Sequence, residues 1–163
     1  MRVFIEEQRF TQKWLIVLLI IASVVPIVII YKSFLDQKMN LNNVIIATTI
    51  IILANGIIFM FKLKTRIDDI GVHYQFFPFH IKMKTIPWKK IKHAETRTYD
   101  ALSEYGGWGL KGGLFWKKEK GTAINVSGDE GIQLTLADNK KILIGTHRRK
   151  DVDIILAKYS NKS

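Results

Sequence analysis

The sequence predicts an α+β membrane protein: a two-helix transmembrane hairpin, then a small antiparallel β-barrel or roll capped by a C-terminal helix. Three observations predict it. Two apolar runs, Trp14–Tyr31 and Val44–Phe61, contain no acidic or basic residue. From Thr65 onward the hydrophobic period changes to two, the signature of half-buried strands. At the end a helical spacing returns, with Val152, Ile155, Leu156 and Tyr159 at i, i+3, i+4 and i+7. The chain divides into a juxtamembrane segment (1–13), a hairpin (14–61, spans 14–31 and 44–61) and a β-rich module (62–163).

The segment Val3-Phe-Ile-Glu-Glu-Gln-Arg-Phe10 mixes apolar and charged residues. It is expected to lie on the membrane interface or dock on the module. The first run exceeds the ~7–15-residue core of a signal peptide, no A-x-A-like cleavage site follows it, and a second run comes after it. Eighteen residues at ~1.5 Å each give about 27 Å of helix, the hydrocarbon thickness of a bilayer. Helices apolar on every side would need a larger protein around them to be buried in a soluble core.

The twelve-residue link Lys32–Asn43 makes the pair an antiparallel hairpin. Arg2, Arg9 and Lys13 precede it and Lys62, Lys64 and Arg66 follow it, whereas the link carries only Lys32 and Lys38. That asymmetry places both termini in the cytoplasm. Trp14, Tyr31, Phe59 and Phe61 sit where aromatic rings favour the interface. Pro26 is expected to kink the first helix and free a carbonyl near Ala22, with Ser23 helping to satisfy nearby groups. Asn55 is expected to bond across the hairpin or between protomers, Gly56 allowing close approach.

In the module, Val72, Tyr74 and Phe76 alternate with His73 and Gln75 after an Asp68-Asp-Ile-Gly71 turn. Ile86-Pro-Trp88 leads into Ile91–Tyr99, where a regular strand would put Ile91, His93, Glu95, Arg97 and Tyr99 on one face. Ile124, Val126, Ile132, Leu134, Leu136, Ile142 and Ile144 continue the alternation. Asp138-Asn139 is a hairpin signal without the usual glycine. Six or seven short strands and one helix follow, the helix favoured by Asp151 and Asp153 in its first turn.

The segment Tyr105-Gly-Gly-Trp-Gly-Leu-Lys-Gly-Gly-Leu-Phe-Trp116 contains Gly107-x-Gly109-x-x-Gly112, the spacing of a dinucleotide fingerprint. That fingerprint needs a helix opening at its third glycine inside a βαβ unit, and Leu114–Lys120 is an aromatic and lysine run. The glycines are read as a bulge or tight bend packed by Trp108, Phe115 and Trp116, with recognition by an aromatic-tipped loop as the functional version.

With these residues in view, the chain resembles bacterial pleckstrin-homology-like proteins that carry a two-helix hairpin before a single β module. Tyr105-Gly-Gly-Trp-Gly109, Asn125-Val-Ser-Gly128, Gly131-Ile-Gln-Leu134 and Lys141-Ile-Leu-Ile-Gly-Thr146 are similar to the glycine-punctuated strand ends of that group. Glu7-Gln-Arg-Phe10 ahead of a Trp-led span resembles it too. One departure is His147-Arg-Arg-Lys-Asp151, where the group tends to carry a proline before the closing helix. The resemblance implies a seven-stranded, partly open barrel capped by a helix, and no reaction.

The chemistry-bearing residues are sparse. There is no cysteine, so no disulfide or thiolate site. His73, His80, His93 and His147 have no helical ligand spacing, and neither Ser103 nor Ser127, assembled with His93, sits in a nucleophile elbow. No cofactor, metal or catalytic residue is expected. Charge is more suggestive: the chain carries +11, and residues 62–163 hold 20 Lys and Arg against 11 Asp and Glu. Four basic clusters stand out, Lys62, Lys64 and Arg66; Lys89, Lys90 and Lys92; Lys117, Lys118 and Lys120; and Arg148, Arg149 and Lys150.

With Trp108 and Trp116 these clusters form the expected contact surface for anionic lipid headgroups or a protein partner, at ~1 kcal/mol per well-placed cation. Nucleic acid is not expected, since no recognised motif accompanies the charge. The expectation is therefore a non-enzymatic binding module in a bacterial inner membrane, possible as a homo-oligomer. The alternative is a small oligomeric transport or pore subunit built from the hairpins.

Overall fold

The structure, a computed structural model, describes residues 3–111 and 121–160. It comprises two compact units, one from residues 10–60 and one that joins residues 1–9 to 61–163.

The first unit is a helical hairpin. Helix α1 (Lys13–Leu35) runs through Pro26, and α2 (Leu41–Gly56) continues into a 3₁₀ turn, Ile57–Met60. In α1 only Leu15 is buried, and in α2 no residue is. By length and composition both helices can cross a membrane. The link is shorter than the apolar runs imply, because α1 extends four residues past Tyr31 and Asn40 caps α2 through its side chain, 2.9 Å from the Asn43 amide. The polar residues of the helices bond within their own helix. Ser23 donates to the Leu19 carbonyl at 2.9 Å, and Asn55 donates to the Ile51 carbonyl at 2.9 Å rather than across the hairpin. A carbonyl one turn back is always within reach of a short polar side chain, so no partner helix is required.

The second unit has two sheets and a C-terminal helix. One sheet has the order β1-β2-β3-β4, from Phe4–Arg9, Lys62–Ile67, Gly71–Phe77 and Lys84–Pro87, all antiparallel. The other has the order β5-β8-β9-β7-β6. Its strands are β5 (Ile91–Thr98), β6 (Gly109–Lys111), β7 (Thr122–Asn125), β8 (Glu130–Leu136) and β9 (Lys141–Gly145). The described residues form nine strands, β1 ahead of the hairpin included, where six or seven are expected from Thr65 onward, and the sheets do not close into a barrel. β1 occupies the outer edge of β2, and Pro87 ends β4 without the N–H that a ladder to β5 would use. The sheet is not wholly antiparallel either: β9 inserts between β8 and β7 and runs parallel to β7.

Phe4–Arg9 is an edge strand of the module, with Phe4 opposite Ile67 and Arg9 opposite Lys62. The helical hairpin is therefore an insertion between two paired strands. Leu63, Ile67, Val72, Tyr74, Phe76 and Ile86 form the buried face of the first sheet. Ile124, Val126, Ile132, Leu134 and Ile144 do so for the second. Helix α4 (Arg149–Ser160) buries Val152, Ile155, Leu156 and Tyr159, the four residues at helical spacing, and Tyr159 stacks on Trp88 at 5.7 Å.

Local chemistry explains the remaining details. Asn139 supplies the positive φ of 61° that the Asp138-Asn139 turn needs, in place of glycine. The β5–β8 register slips between Ile91 and His93, so Ile91 is buried while His93 and Glu95 are exposed. Ile91 therefore does not share their face. The short helix α3 (Ala101–Tyr105) is capped by Asp100 and stopped by Gly106 at φ 70°. It covers the second sheet's outer face, where Tyr99 lies over Gly131 and Gly145: a Cβ on Gly131 would stand 3.1 Å from the Tyr99 ring.

Candidate functional site

Alternation along β2 turns Leu63, Thr65 and Ile67 inward and Lys62, Lys64 and Arg66 outward. The three cations thus share one row, beside Ile5, Glu7 and Arg9 of β1 and opposite His73, Gln75 and Phe77 of β3. Carboxylates hold part of this charge. Glu7 meets Arg9 at 2.8 Å and Lys64 at 3.4 Å, and Lys62 lies 5.8 Å above the Phe77 ring. The Arg9 hydrogen bond, foremost, keeps the Glu7 carboxyl below its ordinary pKa.

Arg66 reaches the buried Asp68 at 2.9 Å. Asp68 Oδ1 also accepts from the Ile70 amide (3.0 Å), the Gly71 amide (3.3 Å) and His73 Nε2 (2.9 Å). Burial pushes this carboxyl up, but the bonds from His73 and the two amides outweigh it and hold the pKa below normal. The other ring nitrogen, His73 Nδ1, lies within hydrogen-bonding distance of the Thr85 hydroxyl at 2.8 Å. The turn that reads in the sequence as Asp-Asp-Ile-Gly is thus a buried polar knot.

The other clusters are dispersed. Lys89, Lys90 and Lys92 are exposed and pair with no carboxylate among the described residues. They follow Pro87, which lies opposite Gly71, at the far end of the first sheet from Lys62 and Phe77. Arg148 and Arg149 are engaged inside the module. Arg148 pairs with Asp151 at 2.6 Å, donates to the Ile5 carbonyl at 3.2 Å and lies over the Phe4 ring. Arg149 donates to the Thr96 and Thr98 hydroxyls at 3.1 and 3.3 Å and meets Glu130 at 3.7 Å. Trp108 packs half-buried against the Tyr99–Tyr105 cluster and donates to the Gly128 carbonyl at 3.1 Å. Trp116, Lys117, Lys118 and Lys120 lie outside the described residues.

Two further constellations carry no sequence signal, because their members are far apart in the chain. A cleft of about 320 Å³ on the second sheet is lined by Glu95, Arg97, Glu104, Gln133, Thr135 and Lys141. Arg97 fills it with donors already spent, at 2.8 and 3.2 Å from Glu104, 3.0 Å from Gln133 and 3.0 Å from the Tyr105 hydroxyl. The Glu104 bond raises the Arg97 pKa further. The other constellation is Ser127 Oγ, 2.6 Å from His147 Nε2. The nearby carboxylate, Glu6, is committed to the Thr146 hydroxyl at 2.6 Å and the His147 amide at 2.9 Å. Ser103 and His93 are not part of this pair. In the same region Asn125 bonds the Tyr99 hydroxyl, whose pKa burial pushes up to about 12.

No protein-family model and no curated protein matches this chain.

The site therefore rests on geometry alone. The Arg97 cleft and the Ser127–His147 pair are polar groups already bonded to one another. The row on β2 is different: it presents cations on an open sheet face, and its strand begins two residues after the second apolar helix ends at Met60.

Proposed function

We propose that this chain is a membrane-anchored, non-enzymatic binding module whose basic sheet edge contacts anionic lipid headgroups. The observation that carries the reading is the pairing of Arg9 with Lys62. Residues paired in one sheet lie on one side of any bilayer, so the segment between them crosses an even number of times. Two apolar helices of 23 and 20 residues meet that requirement. Cleavage after the first helix would remove β1, which buries Glu6 and Gln8.

The cationic flanks favour a cytoplasmic module in a bacterial inner membrane. The two sheets and terminal helix suit the pleckstrin-homology-like resemblance at the level of layout. Lipid contact is favoured by the position of Arg9, Lys62 and Lys64, which follow or precede the helices in the chain and face outward. Each is worth ~1 kcal/mol near an anionic surface, less where Glu7 offsets it.

The chain has no cysteine, so single-cysteine variants report cleanly. In the full-length protein, Lys38→Cys and Ile70→Cys should react with a membrane-impermeant maleimide from opposite sides; reaction from the same side overturns the anchor. Lipid contact is read separately in reconstituted vesicles. Spin-labelled phosphatidylglycerol should be immobilised in preference to phosphatidylcholine, with the preference falling by up to about fivefold in Lys62→Gln and by less in Lys64→Gln, whose charge Glu7 partly offsets. Equal immobilisation of the two lipids overturns the headgroup contact and leaves the anchor standing.

A further inference from the structure

We infer that the β3–β4 loop, Pro78–Met83, is a membrane-dipping element, with Phe79 and Ile81 entering the lipid interface and Lys82 and Lys84 beside anionic phosphates. The inference deepens the anchored reading and rests on it.

Exposure marks the loop first. Phe79 is 62% exposed, Ile81 83% and Met83 39%, at alternate positions with Lys82 and Lys84 after the intervening residues. Elsewhere in the described module Ile70 and Leu102 stand singly, which is ordinary for a protein surface, and Val3, Ile5 and Ile154 line a surface depression together with Arg148 and Asp151 rather than a row of lysines. Three in six residues, interleaved with lysines, are the composition of an interfacial segment, apolar groups for the acyl boundary and cations for the headgroups.

The loop is also built to present them. His80 donates its amide to the Phe76 carbonyl at 2.8 Å, and the Phe76 amide donates to His80 Nδ1 at 3.3 Å. Gln75 Nε2 donates to the carbonyls of His80 and Ile81 at 3.2 and 2.6 Å. The backbone is therefore tied on both sides of the tip while the side chains of Phe79 and Ile81 face solvent. Burial and the Lys84 charge lower the His80 pKa, so the ring serves as a neutral acceptor and the loop's charge is that of its lysines.

Position supplies the occupant. Phe79 stacks on Phe61 at 5.8 Å and on Phe76 at 5.9 Å. Phe61 is the residue that follows the second apolar helix in the chain. The loop also leaves β3 at Phe77, opposite Lys62, which is the end of the sheet where the helical hairpin departs and returns. Where a helix leaves the bilayer at Met60, an aromatic ring stacked on the next residue is held at the interface. Burying one such side chain shifts the loop toward the inserted state by about tenfold or more.

The test uses the full-length protein in vesicles of phosphatidylethanolamine and phosphatidylglycerol, with nitroxides at Ile81→Cys, at Ile70→Cys as the apolar tip of the opposite sheet end, and at Ile46→Cys within α2. Collisions with oxygen, which partitions into lipid, are compared with those of a water-soluble nickel chelate. The Ile81 label should show an oxygen preference several-fold above the Ile70 label and below the Ile46 label. In a Lys82→Gln, Lys84→Gln background the ratio of inserted to free loop should fall about fivefold per lysine. An Ile81 label as aqueous as Ile70, with Ile46 in hydrocarbon, overturns the insertion while sparing the anchor, and points to a protein partner for the loop. An aqueous Ile46 label overturns the anchored reading itself.

Discussion

Glu6 tests whether the first strand belongs to the folded module or merely rests on it. Its carboxylate is 7% exposed and accepts from the Thr146 hydroxyl at 2.6 Å and the His147 amide at 2.9 Å, some 140 residues away. Hydrogen bonds to a charged group contribute ~1.5–3 kcal/mol each, and removing the acceptor leaves buried donors unpaired. Glu6→Ala should therefore destabilise the protein by about 3–5 kcal/mol. For a domain of this size that lowers the unfolding midpoint by on the order of 15 °C or more.

Glu6→Gln should cost less. Its single oxygen can still accept from His147, but its amide meets a hydroxyl oxygen that already accepts from the Arg148 amide at 3.1 Å. That leaves the Thr146 proton without an acceptor, at ~1–2 kcal/mol. Ile5→Ala, on the exposed face of the same strand, should stay within ~0.5 kcal/mol. The assay is urea unfolding of the full-length protein in micelles, followed by near-ultraviolet circular dichroism. A Glu6→Ala variant indistinguishable from Ile5→Ala would refute the reasoning.

Three further outcomes follow from the same geometry. The Thr65 hydroxyl is buried with no partner among the described residues, so Thr65→Val should raise the urea midpoint by the equivalent of ~1 kcal/mol. Asp68 has a folded-state pKa below its unfolded value, so its stabilisation is present at neutral pH and is lost as pH falls below the ordinary carboxylate range; in Asp68→Asn that acid-side slope should flatten when the midpoint is measured against pH. Lys89→Gln with Lys90→Gln, at the other end of the sheet, should leave the preference for phosphatidylglycerol within about twofold of wild type in the spin-label assay.

The helices were legible in the sequence because their determinant, an uninterrupted apolar run, is local. Their ends were not: Phe61 reads as the last residue of a span, yet it leaves to join the Phe76 and Phe79 rings. Strand β1 was hidden for a different reason. Its inward residues are Phe4, Glu6 and Gln8 and its outward ones Ile5, Glu7 and Arg9, so apolar alternation is absent. Only Gly145, Thr146 and His147, at the other end of the chain, make a buried Glu and Gln affordable. The bulge at Lys92 and the parallel pairing of β7 with β9 are likewise set by tertiary partners. A practical consequence is that a fragment beginning at Thr65 would lose β1 and half of β2, which is why the full chain is the object to test.

Net charge alone did not locate the candidate surface; strand register did. Lys62 and Ile67 bracket the first sheet, and five residues of strand span about 17 Å. At physiological salt the screening length is ~8 Å, so cations at the Ile67 end lie about two screening lengths from those at the Lys62 end. Lys89 and Lys90 stand at that distant end, and Arg148 and Arg149 are spent on Asp151, the Ile5 carbonyl, Glu130 and two threonines. These arginines stabilise the start of α4 against both sheets rather than offering charge to a ligand. The cations at the hairpin end, Arg9, Lys62 and Lys64, are fewer than the sequence suggests, but they share one outward face. Beside them the β3–β4 loop adds exposed apolar side chains that a headgroup layer can receive. A contact built this way depends on the placement of Arg9, four lysines and two apolar residues, and it would survive the neutralisation of most of the remaining charge.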